Sequence, residues 1–144
     1  MRLQSVPDVL EEVLPEVASL VGEGLIVAGG RLLLYGAPGQ YKSFLVQQLC
    51  LSLALGAPWL GYPTVQTPSV YIQAEVMPYY VKLRTRQMTE QIGTPDSAYI
   101  ATEQELVLDS APRFDELIKA LLAVKAGFFV LDPIFNFMAG SENN

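Results

Sequence analysis

Four short apolar runs punctuate the chain: Arg31–Tyr35, Val70–Ala74, Ala98–Ala101 and Phe128–Leu131. Each is bounded by turn residues and is strand-sized rather than helix-sized. Between them the apolar positions recur every three or four residues, the period of a helix with one buried stripe. Residues 7–20 carry such a stripe at Val9, Leu10, Val13, Leu14 and Val17, with Pro7 and Asp8 at its start, Pro15 to bend or break it and Gly22-Glu23-Gly24 to end it. Leu25–Val27, the pair Gly29-Gly30 and Arg31–Tyr35 read as a hairpin whose second arm is a buried strand. Residues 42–56 form a long apolar helix stopped by Gly56. The connector Ala57–Ser69 holds Pro58, Pro63 and Pro68, with Trp59-Leu60-Gly61 anchoring it to the core. A second buried strand, Val70–Ala74, ends at Glu75; a helix follows from Tyr79 to Gln91, closed by Gly93 and Pro95. After the short strand Ala98–Ala101, Asp109-Ser110-Ala111-Pro112 opens a helix that runs through Ala126 to a stop at Gly127. The last strand is Phe128–Asp132. Strand and helix alternate, which predicts an α/β domain: a three-layer sandwich around a mainly parallel sheet. Residues 1–24 are expected as an N-terminal helical segment and 25–144 as the domain proper.

Composition narrows this picture. Half of the 144 residues (51%) are hydrophobic and 17% are charged, which suits a sheet covered on both faces. No apolar run is long enough to span a bilayer, because Gln47, Gln48 and Ser52 interrupt the closest one, Leu45–Trp59. Asp8, Glu11, Glu12 and Glu16 rule out a signal peptide at the N-terminus. There is one cysteine and no histidine, so disulfide frameworks, zinc sites and histidine catalysis are excluded, and a cytoplasmic setting is expected. The net charge of −6 makes the chain a poor electrostatic platform for nucleic acid. The local cluster Lys82, Arg84 and Arg86 reads first as a solvated helix face.

The chemistry concentrates in Gly36-Ala37-Pro38-Gly39-Gln40-Tyr41-Lys42-Ser43, followed by Phe44. A strand, a Gly/Pro loop and a Lys-Ser pair opening a helix are the parts of a phosphate-binding loop, Gly-x4-Gly-Lys-Ser/Thr. Such a loop wraps phosphates with backbone N–H groups, and the helix behind it adds its positive end. Lys42 supplies a mobile cation for the outer phosphates, and the Ser43 hydroxyl is placed to ligand Mg²⁺. Tyr41 departs from the pattern, standing where the second glycine is expected. A tyrosine there strains the loop, covers the phosphates with its ring, or abolishes binding.

Two carboxylates stand at the carboxyl ends of strands, where open α/β sheets bind ligands. Asp132 follows four apolar residues and is suited to hold the water shell of Mg²⁺. Glu75 has two readings. Beside the loop it polarises a water for attack on a γ-phosphate; otherwise it is the helix-start carboxylate of the next element, stabilised by the helix dipole.

These residues together resemble the RecA-like P-loop ATPases, in the subgroup of hexameric replicative helicases typified by plasmid RepA and DnaB, with AAA-type ATPase domains. The resemblance covers roughly residues 20–144 and is carried by the Gly36–Ser43 loop, Phe44-Leu45, Trp59-Leu60-Gly61, Tyr71–Glu75 with the trailing Arg84, Leu131-Asp132-Pro133, and Glu142-Asn143. It implies that Glu75 activates the attacking water and that Asp132 assists Mg²⁺. It also implies a homo-oligomer, a hexamer by analogy, and single-stranded DNA contacted through regions beyond this chain. Tyr41 is one departure from the family; the other is that the family core continues past the Asp132 strand, so that the C-terminal part is expected to be missing.

The function expected is binding of ATP and its Mg²⁺-dependent hydrolysis to ADP and phosphate, in DNA replication, repair or plasmid and phage maintenance, with the last point resting on the resemblance. Two rivals remain open. One is a nucleotide-responsive binding module with little turnover, favoured by Tyr41. The other is a small-molecule P-loop kinase, which would bring an Arg-rich lid that is not visible after Asp132.

Overall fold

The structure, a computed structural model, describes residues 3–103, 108 and 110–138. Its elements are α1 (Val6–Glu11), β1 (Ser19–Val21), β2 (Ile26–Val27), α2 (Lys42–Leu55), β3 (Ser69–Gln73), α3 (Pro78–Ile92), β4 (Ala98–Thr102), α4 (Ala111–Ala123), β5 (Phe128–Asp132) and a 3₁₀ turn, Ile134–Phe137.

Strands β4, β3 and β5 form a parallel sheet in that order. Ser69 pairs with Ala98 on one side and Phe128 on the other; Gln73 ends the register against Thr102 and Asp132. The central strand β3 is buried along its whole length. Successive side chains of a strand point to opposite faces. Val70, Ile72 and Ala74 therefore pack with Leu117 of α4 and with Phe137. Ser69, Tyr71 and Gln73 take the other face, where Ser69 Oγ donates to the Cys50 carbonyl of α2 at 2.7 Å. The sheet thus lies between α2 and α4, giving the expected α/β layers. A second cluster joins Leu49 and Leu53 of α2 to Val21, Ile26 and Trp59. Trp59 is buried as expected, and its indole N–H donates to the Leu45 carbonyl at 3.3 Å.

The N-terminal third departs from the sequence expectation in two ways. The helix expected over 7–20 is only Val6–Glu11, capped by a reciprocal Ser5–Asp8 pair. Pro15 explains the early stop: it cannot donate to a helix, and it pushes Leu14 toward extended backbone. Val13 is 96% exposed, so among the described residues the apolar stripe has nothing to pack on. Secondly, the hairpin partner of Ile26–Val27 is Ser19–Val21, not Arg31–Tyr35. The turn between them uses Gly22 and Gly24, with φ of 58° and 91°, values that favour glycine. With β2 taken, Arg31–Tyr35 forms no strand and is not buried: Leu33 is 71% exposed. Both edges of β3 are also occupied, and a strand exists only where its backbone groups find a ladder.

Smaller differences have local causes. The helix expected to run through Ala126 ends at Ala123, and Lys125 takes a φ of 52°. Gly127 is not a helix cap. Its N–H donates to the Pro68 carbonyl at 2.9 Å, and an added Cβ would meet the Thr67 side chain at 2.4 Å, so glycine is required by close approach of two loops. Gly56 does cap α2 in the left-handed conformation, as its position predicts. Asp109 and the Glu142-Asn143 pair lie outside the described residues.

Two outcomes are expected from this packing. Leu53→Ala removes a fully buried side chain from the second cluster and should lower unfolding free energy by roughly 2–5 kcal/mol, read by urea denaturation. Cys50 is buried, and burial pushes its thiol up from 9.0 to about 12. A thiol reagent at pH 8 should leave it unlabelled until urea is added. Stability linked to Cys50 is complete below about 9 and is lost as pH climbs from there toward about 12, because the unfolded chain gives up the proton first. Rapid labelling of native protein at pH 8 would contradict this burial.

Candidate functional site

Helix α2 opens at Lys42 directly behind the loop of residues 36–41. The loop turns at Gly39, with φ of 79°, and again at Tyr41, with φ 56° and ψ 20°. Tyr41 therefore adopts the left-handed backbone of the glycine it replaces, a conformation that costs an L-residue roughly 1–2 kcal/mol. Its ring is 75% exposed and meets Phe44 edge-on, with centroids 5.8 Å apart. Tyr41 is the N-cap residue but provides no side-chain cap. The first intrahelical bond runs from Leu45 N–H to the Tyr41 carbonyl, so the amides of Lys42, Ser43 and Phe44 have no partner within the helix. Free amides at a helix start, with the dipole behind them, suit an anion.

Lys42 folds back on the loop. Its ammonium donates to the carbonyls of Gly36 and Ala37, each at 2.8 Å. The cation is thus held at the loop by contacts that phosphate oxygens can replace. Pro38 and Gln40 are exposed in the same loop.

Asp132 is held by a residue that sequence reasoning did not select. Tyr71, on the α2-facing side of β3, donates from its hydroxyl to Asp132 Oδ2 at 2.6 Å. Burial, then the hydrogen bond to Asp132, then that carboxylate's charge push the phenol well above its ordinary range; the Arg84 charge and the Ser43 hydroxyl pull it partly back. Ser43, Tyr71, Asp132 and Arg84 therefore share one locality at the start of α2 and the carboxyl end of the sheet. The signal for Tyr71 is present in the chain, in the alternation of Ser69, Tyr71 and Gln73 with apolar Val70 and Ile72, which puts polar groups on one face of a buried strand.

Arg84 leaves the exposed basic cluster to which its sequence neighbours belong. Its guanidinium lies 4.1 Å from the centre of the Phe44 ring, a cation–π contact between α3 and α2. Arg86 instead pairs with Glu90 at 2.9 Å on the exposed face of α3, a contact worth little on its own. Beside Arg84, the Gln47 amide donates to Thr85 Oγ1 at 2.7 Å. Gln47 Oε1 and Arg84 Nη1 are buried polar atoms without a hydrogen-bond partner among the described residues. A cleft of about 260 Å³ opens here between α2 and α3, lined by Phe44, Gln48, Arg84, Gln87 and Met88 among others. A second cleft of about 250 Å³ lies on the opposite face of the sheet, between α4 and β4, away from the loop.

Glu75 stands just past β3, two positions beyond the register partner of Asp132, and is exposed. Gln73 shapes its turn: Oε1 accepts from Glu75 N–H at 3.2 Å and from Val76 N–H at 2.7 Å, while Nε2 donates to the Val76 carbonyl and to Thr102. Helix α3 begins later, at Pro78 with Met77 as its cap, and its first turn carries no acidic residue. Glu75 is therefore not part of that helix start.

Ser43 and Asp132 are hard oxygen donors, and one Asp132 oxygen accepts from the Tyr71 hydroxyl. No group of three or more His, Cys, Asp or Glu that could hold a metal occurs among the described residues. This set fits Mg²⁺, which takes one or two protein oxygens and completes its shell with water and substrate phosphates, and does not fit an all-protein cage.

A family model described as AAA domain matches residues 1–144, so the chain belongs to that family. Membership makes it a nucleotide-binding domain of the P-loop ATPase type. No curated protein matches, and no solved structure does. No helix among the described residues is long and apolar enough to cross a membrane.

The left-handed backbone at position 41 has a testable consequence. Tyr41→Gly and Tyr41→Ala both remove the ring, and they differ in tolerance of positive φ. The glycine variant should be the more stable by about 1 kcal/mol in urea unfolding. Equal stabilities would mean that the loop does not need this geometry.

Proposed function

We propose that this AAA domain binds ATP with Mg²⁺ at the 36–44 loop and hydrolyses it to ADP and phosphate. The observation that supports this most is a Gly/Pro loop that runs into a helix whose first amides have no partner within the helix, with the Lys42 ammonium already donating into that loop. The amides of Gly39 to Phe44 receive phosphate oxygens, and Lys42 exchanges its two loop carbonyls for the outer phosphates. Positive groups already in place lower the barrier as charge moves onto the phosphate oxygens, since no reorganisation is needed at that moment. Ser43 and Asp132 are the residues that would hold Mg²⁺. The ion, when bound, neutralises developing phosphate charge. Glu75, held just beyond β3 by the Gln73 turn, orients the attacking water. Exposure leaves its carboxylate free to meet that water, and its separation from the start of α3 favours this role over a helix-start one.

The proposal includes action as a homo-oligomer on single-stranded DNA, in keeping with the helicase resemblance. A nucleotide-responsive module with little turnover is the second reading, and the tying of Lys42 to its own loop favours it.

Substitutions separate binding from chemistry. Lys42→Ala should weaken ATP binding about tenfold or more, because it removes a charge-assisted contact, as read by calorimetry. Glu75→Gln should keep affinity nearly unchanged while phosphate release falls about 10²-fold. Full turnover in Glu75→Gln would remove Glu75 from the chemistry. Tight binding with negligible phosphate release by the unsubstituted protein, with or without single-stranded DNA, would favour the second reading.

A further inference from the structure

Tyr71 is 1% exposed on the central strand of the sheet, where a phenylalanine would fill nearly the same space without burying a hydroxyl. A buried polar group is costly unless it is hydrogen-bonded. The two other polar residues on this face of β3 serve local structure: Ser69 bonds the backbone of α2, and Gln73 holds the turn before α3. Tyr71 alone spends its hydroxyl on a strand-end carboxylate. In the parallel register Tyr71 pairs with Val130, so its side chain reaches two positions along β5 to Asp132. The bond takes Oδ2 and leaves Oδ1 without a hydrogen bond among the described residues.

We propose that Tyr71 is a positioning residue for the Mg²⁺–nucleotide site. Its hydroxyl pins one oxygen of Asp132 and leaves the other for a metal-held water. A phenol on β3 thereby fixes the carboxylate at the end of the neighbouring strand β5. Groups that orient a metal's ligands from behind often matter to affinity by 10–100-fold. The short bond from a buried phenol suits this role, since burial of the ring holds the hydroxyl in place. The inference rests on the reading that Ser43 and Asp132 serve Mg²⁺ with a bound nucleotide.

The test is calorimetric titration of ADP into unsubstituted protein, Tyr71→Phe, Asp132→Asn and the double variant, each with Mg²⁺ and with EDTA. In Tyr71→Phe the affinity in Mg²⁺ should fall about tenfold, while the affinity in EDTA stays within about twofold. The double variant should match Asp132→Asn alone, because both changes break the same link. Calorimetry reports affinity and binding fraction separately, so partial unfolding lowers the fraction and leaves the Mg²⁺-to-EDTA ratio readable. Equal losses in both conditions, or none in either, would overturn the positioning role. If Asp132→Asn loses the Mg²⁺ gain and Tyr71→Phe does not, Tyr71 alone is wrongly assigned. If the unsubstituted protein shows no Mg²⁺ gain at all, the Mg²⁺ reading of Ser43 and Asp132 falls, and the role of Tyr71 with it.

Discussion

Strand Ser69–Gln73 is paired on both edges and covered on both faces, so every polar group it carries must find a partner inside the protein. That requirement organises the rest. Ser69 ties the strand to α2, Gln73 ties its end to the turn that carries Glu75, and Tyr71 ties its middle to Asp132. The opposite face needs no such ties, and Val70, Ile72 and Ala74 pack there against Leu117 and Phe137 by apolar contact. A division of labour between the two faces follows from the two-residue period of a strand. One face stabilises by burial, and the other assembles polar groups beside the phosphate loop.

The loop itself holds two tensions. Tyr41 sits in a backbone region that glycine would occupy without strain, and its exposed ring recovers part of the loss by contact with Phe44. Phe44 in turn carries the Arg84 guanidinium on its face. A column of Tyr41, Phe44 and Arg84 therefore runs from the loop across α2 to α3. Lys42, meanwhile, rests on loop carbonyls, which keeps a cation at the site while leaving it exchangeable. Both features leave the loop with contacts that are strained or exchangeable.

Sequence periodicity and turn residues determined much of this protein. The helix from Lys42 to Leu55 with its Gly56 cap, the buried strand around Val70–Gln73, the strand ending at Asp132, the buried Trp59 and Cys50, and the parallel sheet all follow from local pattern, with the first strand shifted back by one residue from its expected bounds. Local rules succeed there because each segment's preference agrees with its surroundings. The Gly36–Ser43 motif was legible as a pattern, since it is built from consecutive positions.

Tertiary structure alone decided the remainder. The apolar run Arg31–Tyr35 has the composition of a buried strand, yet a strand needs a neighbour, and the glycine turn at 22–24 gives β2 to Ser19–Val21 instead. The stripe over 7–20 is likewise amphipathic without a surface to cover, beyond the break imposed by Pro15. Arg84 reads as one of three solvated cations until α3 is laid against α2. The Tyr71–Asp132 bond joins residues 61 positions apart and depends on β5 lying beside β3 while β4 takes the other edge. Side-chain identity along the chain fixes what each segment is able to bury or bond; only the packed sheet determines which partner it meets, because pairing is a property of two segments and not of one.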